Sequence, residues 1–265
     1  MKIAVLLTCH NRVKTTLRCL SSLNLSAGDH SCDVYLVDDG STDGTCEQVR
    51  ATFPSVKIIL GSGSLYWAKG MHRAWQEACA NDDYDFYLWL NDDVVLKGNA
   101  IAELVADYTK TLSVIIGACS EEDDDSQVSY GATDASDKLI VPTGEPQGAD
   151  GWFTGNCVLI PRSIFKSVGL ISNAYSHARA DYDYAERLKQ QGLRFYCSSC
   201  YVGVCHNDFK EKVSGMGRWS RIKALAQPGY WNLHDLWLIK SRYHGWVAAL
   251  IACTHLIWIA LKGDL

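Results

Sequence analysis

The strongest constraint on this chain is an alternation that runs through its first 110 residues. Short apolar runs take turns with segments whose apolar residues recur every three or four positions. Residues 3–7, 33–37, 56–60 and 86–90 read as the short apolar strands of a sheet covered on both sides. Between them, Val13, Thr16, Leu17, Leu20 and Leu23 recur at helical spacing, as do Met71, Ala74, Trp75 and Ala78. Asp43-Gly44-Thr45 opens a further helix, capped by Ser41 or Thr42, and residues 101–108 form another. Strands and helices joined in this order by short connections imply an α/β fold, a mostly parallel central sheet with helices on both faces.

The pattern loosens after residue 110. Residues 113–118 read as a strand, the acidic run 121–125 as a solvated loop, and 128–146 as short strands and turns. A strand at 157–160 is stopped by Pro161, which also opens a helix over 162–168. A helix over 181–191 is closed by Gly192, and 195–205 is extended. The 265 residues suit one large domain, or one domain with an appendage. With 48% hydrophobic and 21% charged residues, disorder is excluded.

The net charge of −5 is unevenly spread. Residues 207–265 carry eight Lys/Arg against four acids, so this tail is +4 and the rest −9. The absence of a basic excess argues against a nucleic-acid partner. Eleven cysteines, an odd number scattered along the chain, include Cys9, Cys157 and Cys253 inside apolar runs, which points to a reducing, cytoplasmic compartment. Residues 1–7 lack the length and cleavage site of a signal peptide. Residues 246–261 are apolar except for Thr254 and His255, a run short of the ~20 residues that cross a bilayer. Trp231, Trp237, Trp246 and Trp258 add rings of the kind found at membrane interfaces. Two readings are open: a terminal helix packed on the body, or an in-plane membrane helix with basic flanks.

In an open parallel sheet, ligands bind beyond the carboxyl ends of the strands. Thr8-Cys9-His10-Asn11-Arg12, Asp38-Asp39-Gly40-Ser41 and Asn91-Asp92-Asp93 follow three of these ends. Two acidic pairs on one edge need a cation or hydrogen-bond donors to offset their repulsion. Hard carboxylate oxygens suit Mg2+ or Mn2+, and either ion could bridge the phosphates of a nucleotide sugar. Taken singly, each pair also reads as a polar turn. No Gly-x-Gly-x-x-Gly and no phosphate-loop motif follows a strand, and Gly-x-Ser-x-Gly survives only in broken form at 61–64. These absences disfavour nicotinamide, P-loop and hydrolase chemistry. Cys197-x2-Cys200 could suggest zinc, but an extended segment scatters such side chains over two faces.

Five stretches, in order, resemble those of family 2 glycosyltransferases with a GT-A fold. They are Val5-Leu6-Leu7-Thr8-Cys9-His10-Asn11-Arg12, Val37-Asp38-Asp39-Gly40-Ser41-Thr42-Asp43, Leu88-Trp89-Leu90-Asn91-Asp92-Asp93, Gly155-Asn156-Cys157-Val158-Leu159-Ile160-Pro161 and Ala180-Asp181-Tyr182-Asp183-Tyr184. The resemblance covers residues 1–210. It is nearest to bacterial branches that build surface polysaccharides such as O-antigen, rhamnosyltransferase-like members included. It implies a nucleotide-binding half over 1–110 and an acceptor-side half over 111–210, which leaves a basic, aromatic helical tail over 211–265. It implies inverting transfer from a nucleoside diphosphate sugar, UDP- or dTDP-linked, to a glycan or a lipid-linked acceptor at the cytoplasmic face of the inner membrane. Asp39 would meet the nucleotide base with Thr8 beside it, Asp92 the ribose or sugar, and Arg12 and Lys69 the phosphates. Asp93 would hold Mg2+ or Mn2+ as the last acid of the Asp-x-Asp motif, whose first acid is here Asn91, with His206 near the metal or diphosphate. Asp181 matches the catalytic base, although Ala180 stands where the motif has Glu. Trp152 and Asn156 would flank the acceptor. On residue chemistry alone, Asp181 reads first as a helix cap, and only the resemblance turns it into the base. A sugar nucleotidyltransferase, or an inactive binding module on the same fold, is the rival reading.

Overall fold

The computed structural model describes residues 1–123, 125–207, 216–229 and 232–262. Asp124, Trp231 and the charged residues Asp208, Lys210, Glu211, Lys212 and Asp264 lie outside them. In chain order the elements are β1 (Lys2–Cys9), α1 (Val13–Ser26), β2 (Ser31–Asp38), α2 (Thr45–Thr52), β3 (Lys57–Leu60), α3 (Tyr66–Asn81), β4 (Phe86–Leu90), β5 (Val95–Leu96), α4 (Ala100–Thr111) and β6 (Val114–Ser120). They continue with β7 (Val128–Tyr130), β8 (Gln147–Ala149), β9 (Cys157–Pro161), α5 (Arg162–Val168), α6 (Ala180–Gln190) and β10 (Phe195–Val204). The tail adds α7 (Arg218–Ala224), α8 (Leu233–His244) and α9 (Trp246–Lys262).

One sheet runs through the molecule in the order β3-β2-β1-β4-β9-β6-β10-β5. β1 to β4 pair in parallel, each crossover carrying a helix. β9 breaks the parallel run by lying antiparallel between β4 and β6. Its direction has a topological cause. Parallel strands need a covering crossover, and the chain between β6 and β9 makes only short strands and turns. Successive residues of each central strand face opposite sides, so the sheet divides two cores. Ala4, Leu6, Tyr35, Tyr87 and Trp89 join α3, α5 and α6 on one side, and Ile3, Val5, Leu7, Phe86 and Leu88 join α1, α2 and α4 on the other. Trp75 centres the first core, its ring 5.2–6.0 Å from those of Tyr87, Trp89, Phe165 and Tyr184.

Two local expectations change. Helix α2 has Gly44, at φ +84°, in the capping position rather than Ser41 or Thr42, and Asp43 takes the Thr45 N–H and hydroxyl instead. The acidic run is not simply solvated: Asp125 pairs with Lys97 at 2.6 Å, and Glu121 receives the Asn207 N–H and contacts His206.

The tail is built onto the body through α8. Ile239 enters the first core, and Leu238 and Tyr243 pack against it. Arg242 and Tyr243 reach the buried Asp183 of α6, at 2.5 and 2.9 Å. Helix α9 lies on α7 and α8, burying Ala249 and Ala260 and leaving Trp246, Leu250, Ile251 and Trp258 exposed. Among the described residues no helix is long and apolar enough to cross a membrane.

Candidate active site

Register brings the strand ends to one edge: Cys9 of β1 pairs with Asp38 of β2, and Leu6 with Trp89 of β4. The residues that follow line a cavity of about 780 Å3 with α6 and the strands of the other half. Asp39 is buried there. Its Oδ1 accepts the Gly63 N–H at 2.8 Å, and its Oδ2 accepts those of Leu65 and Tyr66 at 2.8 and 2.9 Å. A carboxylate has about four acceptor positions, so Asp39 pins the loop into α3 and still has capacity on Oδ1. Thr8 lies under α3 at Gly70, where a Cβ would come 2.4 Å from its Oγ1.

Arg12 ties the second acidic pair together. Its guanidinium reaches Asp92 at 3.0 Å and Asp93 at 2.8 Å, and the Thr16 hydroxyl donates to Asp92 at 3.1 Å. Burial pushes the Asp92 carboxyl up to about 7 against the pull of Arg12. Asn91 is held on both sides: its Oδ1 accepts the Trp67 indole N–H at 2.7 Å, and its N–H donates to the Asn156 carbonyl at 2.9 Å. Trp67 in turn closes over Gly155, where a Cβ would lie 2.4 Å from its ring.

Across the cavity, Asp181 sits in the first turn of α6. The capping position belongs to Arg179, so Asp181 is not the cap. Its Oδ2 accepts the Gly155 N–H and its Oδ1 the Tyr182 N–H, each at 3.0 Å. Burial outweighs these bonds and pushes its carboxyl up to about 6. The Tyr182 ring stacks on Trp152 with centroids 4.5 Å apart. Asp183, two residues on, faces the core and is consumed by Tyr175, Arg187, Arg242 and Tyr243. Only Asp181 of the two faces the cavity.

A metal ion would find few protein ligands. Among the described residues, Asp93 Oδ1 has a hydrogen bond from the Cys205 thiol alone, at 3.5 Å. Asp93, Glu121 and His206 border a smaller cavity of about 330 Å3 beside Arg12. Among the described residues no three His, Cys, Asp or Glu side chains gather around one point. That donor set fits Mg2+ or Mn2+, which commonly take one or two carboxylates and complete their shell with phosphate oxygens and water.

The sequence model of the family described as glycosyl transferase family 2 matches residues 4–169. The chain belongs to glycosyltransferase family 2. Two curated relatives, from two strains of Mycobacterium tuberculosis, are named N-acetylglucosaminyl-diphospho-decaprenol L-rhamnosyltransferase. Each is 24% identical over 94% of this chain and 87% of its own length. Among solved structures, a mannosyltransferase of Pyrobaculum calidifontis in complex with GDP-Man and Mn2+ superposes with a TM-score of 0.56 at 16% identity, over 97% of this chain and 80% of that one. S. aureus TarS in complex with UDP-GlcNAc gives 0.60 at 13% identity, over 100% and 88%. These likenesses bear out the GT-A fold.

In this glycosyltransferase the cavity gathers Thr8, Arg12, Asp39, Asp92, Asp93, Trp152, Asn156 and Asp181. Lys69 stands in the first turn of α3 outside the cavity lining, where its neighbour Trp67 takes a place instead. His206 borders the smaller cavity. Sequence reasoning missed Trp67, Tyr182 and Arg179 as wall residues. All three stand within two residues of expected site positions, Trp67 of Lys69 and Arg179 and Tyr182 of Asp181, which is the signal that could have found them.

Proposed function

We propose that this glycosyltransferase moves a sugar, with inversion, from a UDP or dTDP sugar to a hydroxyl of a glycan or lipid-linked acceptor in bacterial surface-polysaccharide synthesis. The observation that carries the reading is the pair of opposed walls in one cavity: Asp39, Asp92 and Asp93 on strand ends, and Asp181 at the start of α6. The relatives named for transfer to a diphospho-decaprenol acceptor support a lipid-linked acceptor, and the GDP-Man and UDP-GlcNAc complexes of the neighbours support a nucleotide-sugar donor.

The shared cavity supports the roles that the family resemblance implies. Asp39 and Thr8 take the nucleotide base end, Asp92 the ribose or sugar, and Arg12 the diphosphate. The acceptor lies between Trp152 and Asn156, with its hydroxyl at Asp181. As that oxygen attacks the anomeric carbon, its proton passes to the Asp181 carboxylate, the bond from that carbon to the diphosphate oxygen breaks, and the electron pair leaves with the nucleoside diphosphate. Attack opposite the leaving group inverts the anomeric centre. A carboxylate whose acid strength lies near neutrality suits this transfer. A divalent ion held by Asp93 and His206 would supply charge stabilisation to the leaving diphosphate.

The exposed apolar face of α9, with Lys262 at its end, supports peripheral contact with the cytoplasmic membrane face. Substituting Ile251 and Trp258 together by Asp should reduce co-sedimentation of the full chain with anionic vesicles, and unchanged sedimentation would remove this contact. For the chemistry, the full chain is assayed with UDP and dTDP sugars. Release of nucleoside diphosphate with an inverted linkage is expected. Release of pyrophosphate from UTP or dTTP supplied with a sugar 1-phosphate would make the chain a nucleotidyltransferase. Absence of hydrolysis and transfer across a full nucleotide-sugar panel would make it an inactive binding module.

A further inference from the structure

Two residues of the cavity wall, Tyr66 and Arg179, have a left-handed backbone, and Arg179 is the charged one. It precedes α6 with φ +73°, a left-handed conformation rare for a side chain of this size. Such strain persists where the surroundings over-determine it. The loop just before it is held by the fully buried Asp235 of α8, which accepts the Ser176 N–H at 3.1 Å, the Ser176 hydroxyl at 2.8 Å and the His177 N–H at 3.3 Å. Asp235 is itself set by Asn232, whose side-chain oxygen accepts the Asp235 N–H at 2.9 Å.

Among the described residues, the side chain held in this way forms no ion pair or hydrogen bond. Arg12 pairs with Asp92 and Asp93, while Arg187 and Arg242 pair with Asp183. The Arg179 guanidinium makes no hydrogen bond among the described residues, and its buried Nε has no partner. Asp181 and Cys253 of α9 are near enough to interact electrostatically with it. Leaving a guanidinium N–H desolvated and unpaired is unfavourable unless a ligand supplies the acceptor. A planar fork of N–H donors matches phosphate oxygens two at a time. The same cavity wall carries Trp152 and Tyr182, their rings packed at 4.5 Å, a surface for the face of a sugar ring.

We propose that Arg179 binds a phosphate of the acceptor. The acceptor is then a sugar carried on a phosphate or diphosphate, its ring on Trp152 and Tyr182, its attacking hydroxyl at Asp181 and its phosphate on Arg179. The inference rests on the reading that places the acceptor at Asp181. It makes Arg179 the residue that selects phosphate-bearing acceptors over neutral ones.

The test uses the full chain, with pyrophosphate as probe and saturating UDP to fill the donor side, followed by calorimetry. The wild type is expected to bind pyrophosphate under UDP. Arg179→Gly, which suits φ +73° and keeps the fold, should weaken that binding at least about tenfold while leaving UDP affinity in place. Arg179→Lys should fall between. Equal pyrophosphate binding by wild type and Arg179→Gly, or none by the wild type, overturns the proposal. Failure of UDP and dTDP to bind would instead count against the donor reading, and the comparison of Arg179→Gly with wild type without nucleotide still decides the role of Arg179. Displacement of pyrophosphate by farnesyl diphosphate more strongly than by N-acetylglucosamine 1-phosphate marks a lipid carrier. The reverse order marks a soluble sugar phosphate, and displacement by neither overturns the proposal.

Discussion

Replacing Asp181 by Asn should make the protein inactive and, at neutral pH, more stable. Burial raises the Asp181 carboxyl from its ordinary 3.8 to about 6. The native state therefore favours the neutral form, and native stability falls as pH rises from about 4 through about 6. Two pH units of displacement correspond to about 3 kcal/mol at pH 7. Asn escapes that term but cannot accept from both the Gly155 and the Tyr182 N–H, because its amide nitrogen is a donor. The lost bond costs about 1 kcal/mol. The balance is a gain of about 2 kcal/mol, or about 4–8 °C in Tm for a chain of this size. Below pH 4 the ionisation term vanishes and only the lost bond remains, so Asp181→Asn should there be the less stable protein by about 1 kcal/mol. Urea titrations at pH 3.5, 5, 6 and 7 measure this crossing. In parallel, wild-type kcat/KM should rise with pH and level off above about 6, where the carboxylate is free to take a proton. In the variant, kcat should drop by roughly 10^2–10^4. A variant less stable than wild type at pH 7, or a stability difference that ignores pH between 4 and 7, would refute the reasoning.

Three further outcomes are expected. Arg12→Ala leaves Asp92 and Asp93 adjacent without a counter-charge and, since Arg12 is 43% exposed, should cost only about 1–2 kcal/mol. Mn2+ should raise the Tm of this variant more than that of wild type, and an equal response would count against a cation site at Asp93. Asp235→Ala strips the acceptor from Ser176 and His177 and should lower stability by about 2–4 kcal/mol. Its kcat should fall with UDP affinity unchanged, and an equal loss of UDP affinity would mean that the effect is not confined to the loop before α6. Gly155→Ala drives a Cβ against Trp67 and should cost about 1–3 kcal/mol. A double-mutant cycle with Trp67→Leu should recover most of that cost, and strict additivity would show that the two do not meet.

The sequence carried the local half of this structure. The strand at Phe86–Leu90 was legible because a run of five apolar residues between polar turns has few other uses, and the acidic strand ends were legible because they interrupt such runs. The helix over Trp246–Lys262 followed in the same way from its length and lack of charge. What escaped depends on residues far apart in the chain. The antiparallel direction of β9 is a property of the route between β6 and β9, not of the apolar residues it contains. Asp183 and Asp181 are indistinguishable as letters. They differ because Arg242 and Tyr243, some 60 residues later, claim the first and leave the second in the cavity. The Arg12 bridge across Asp92 and Asp93 joins positions 81 residues apart or nearly so, and no spacing rule connects them.

The joining of α8 to the loop before α6 makes two equilibria one. Ser176 and His177 lose their acceptor whenever Asp235 departs, and Asp183 loses one of its two cations whenever Arg242 departs. Undocking of the tail and loosening of the reaction loop are therefore a single transition, not two. Whatever binds only the docked tail shifts that transition by its own binding free energy. By reciprocity, an acceptor that orders the loop tightens the binding of anything that grips the tail, by the same factor. A surface that holds α9 and a substrate that fills the cavity would then promote each other without touching.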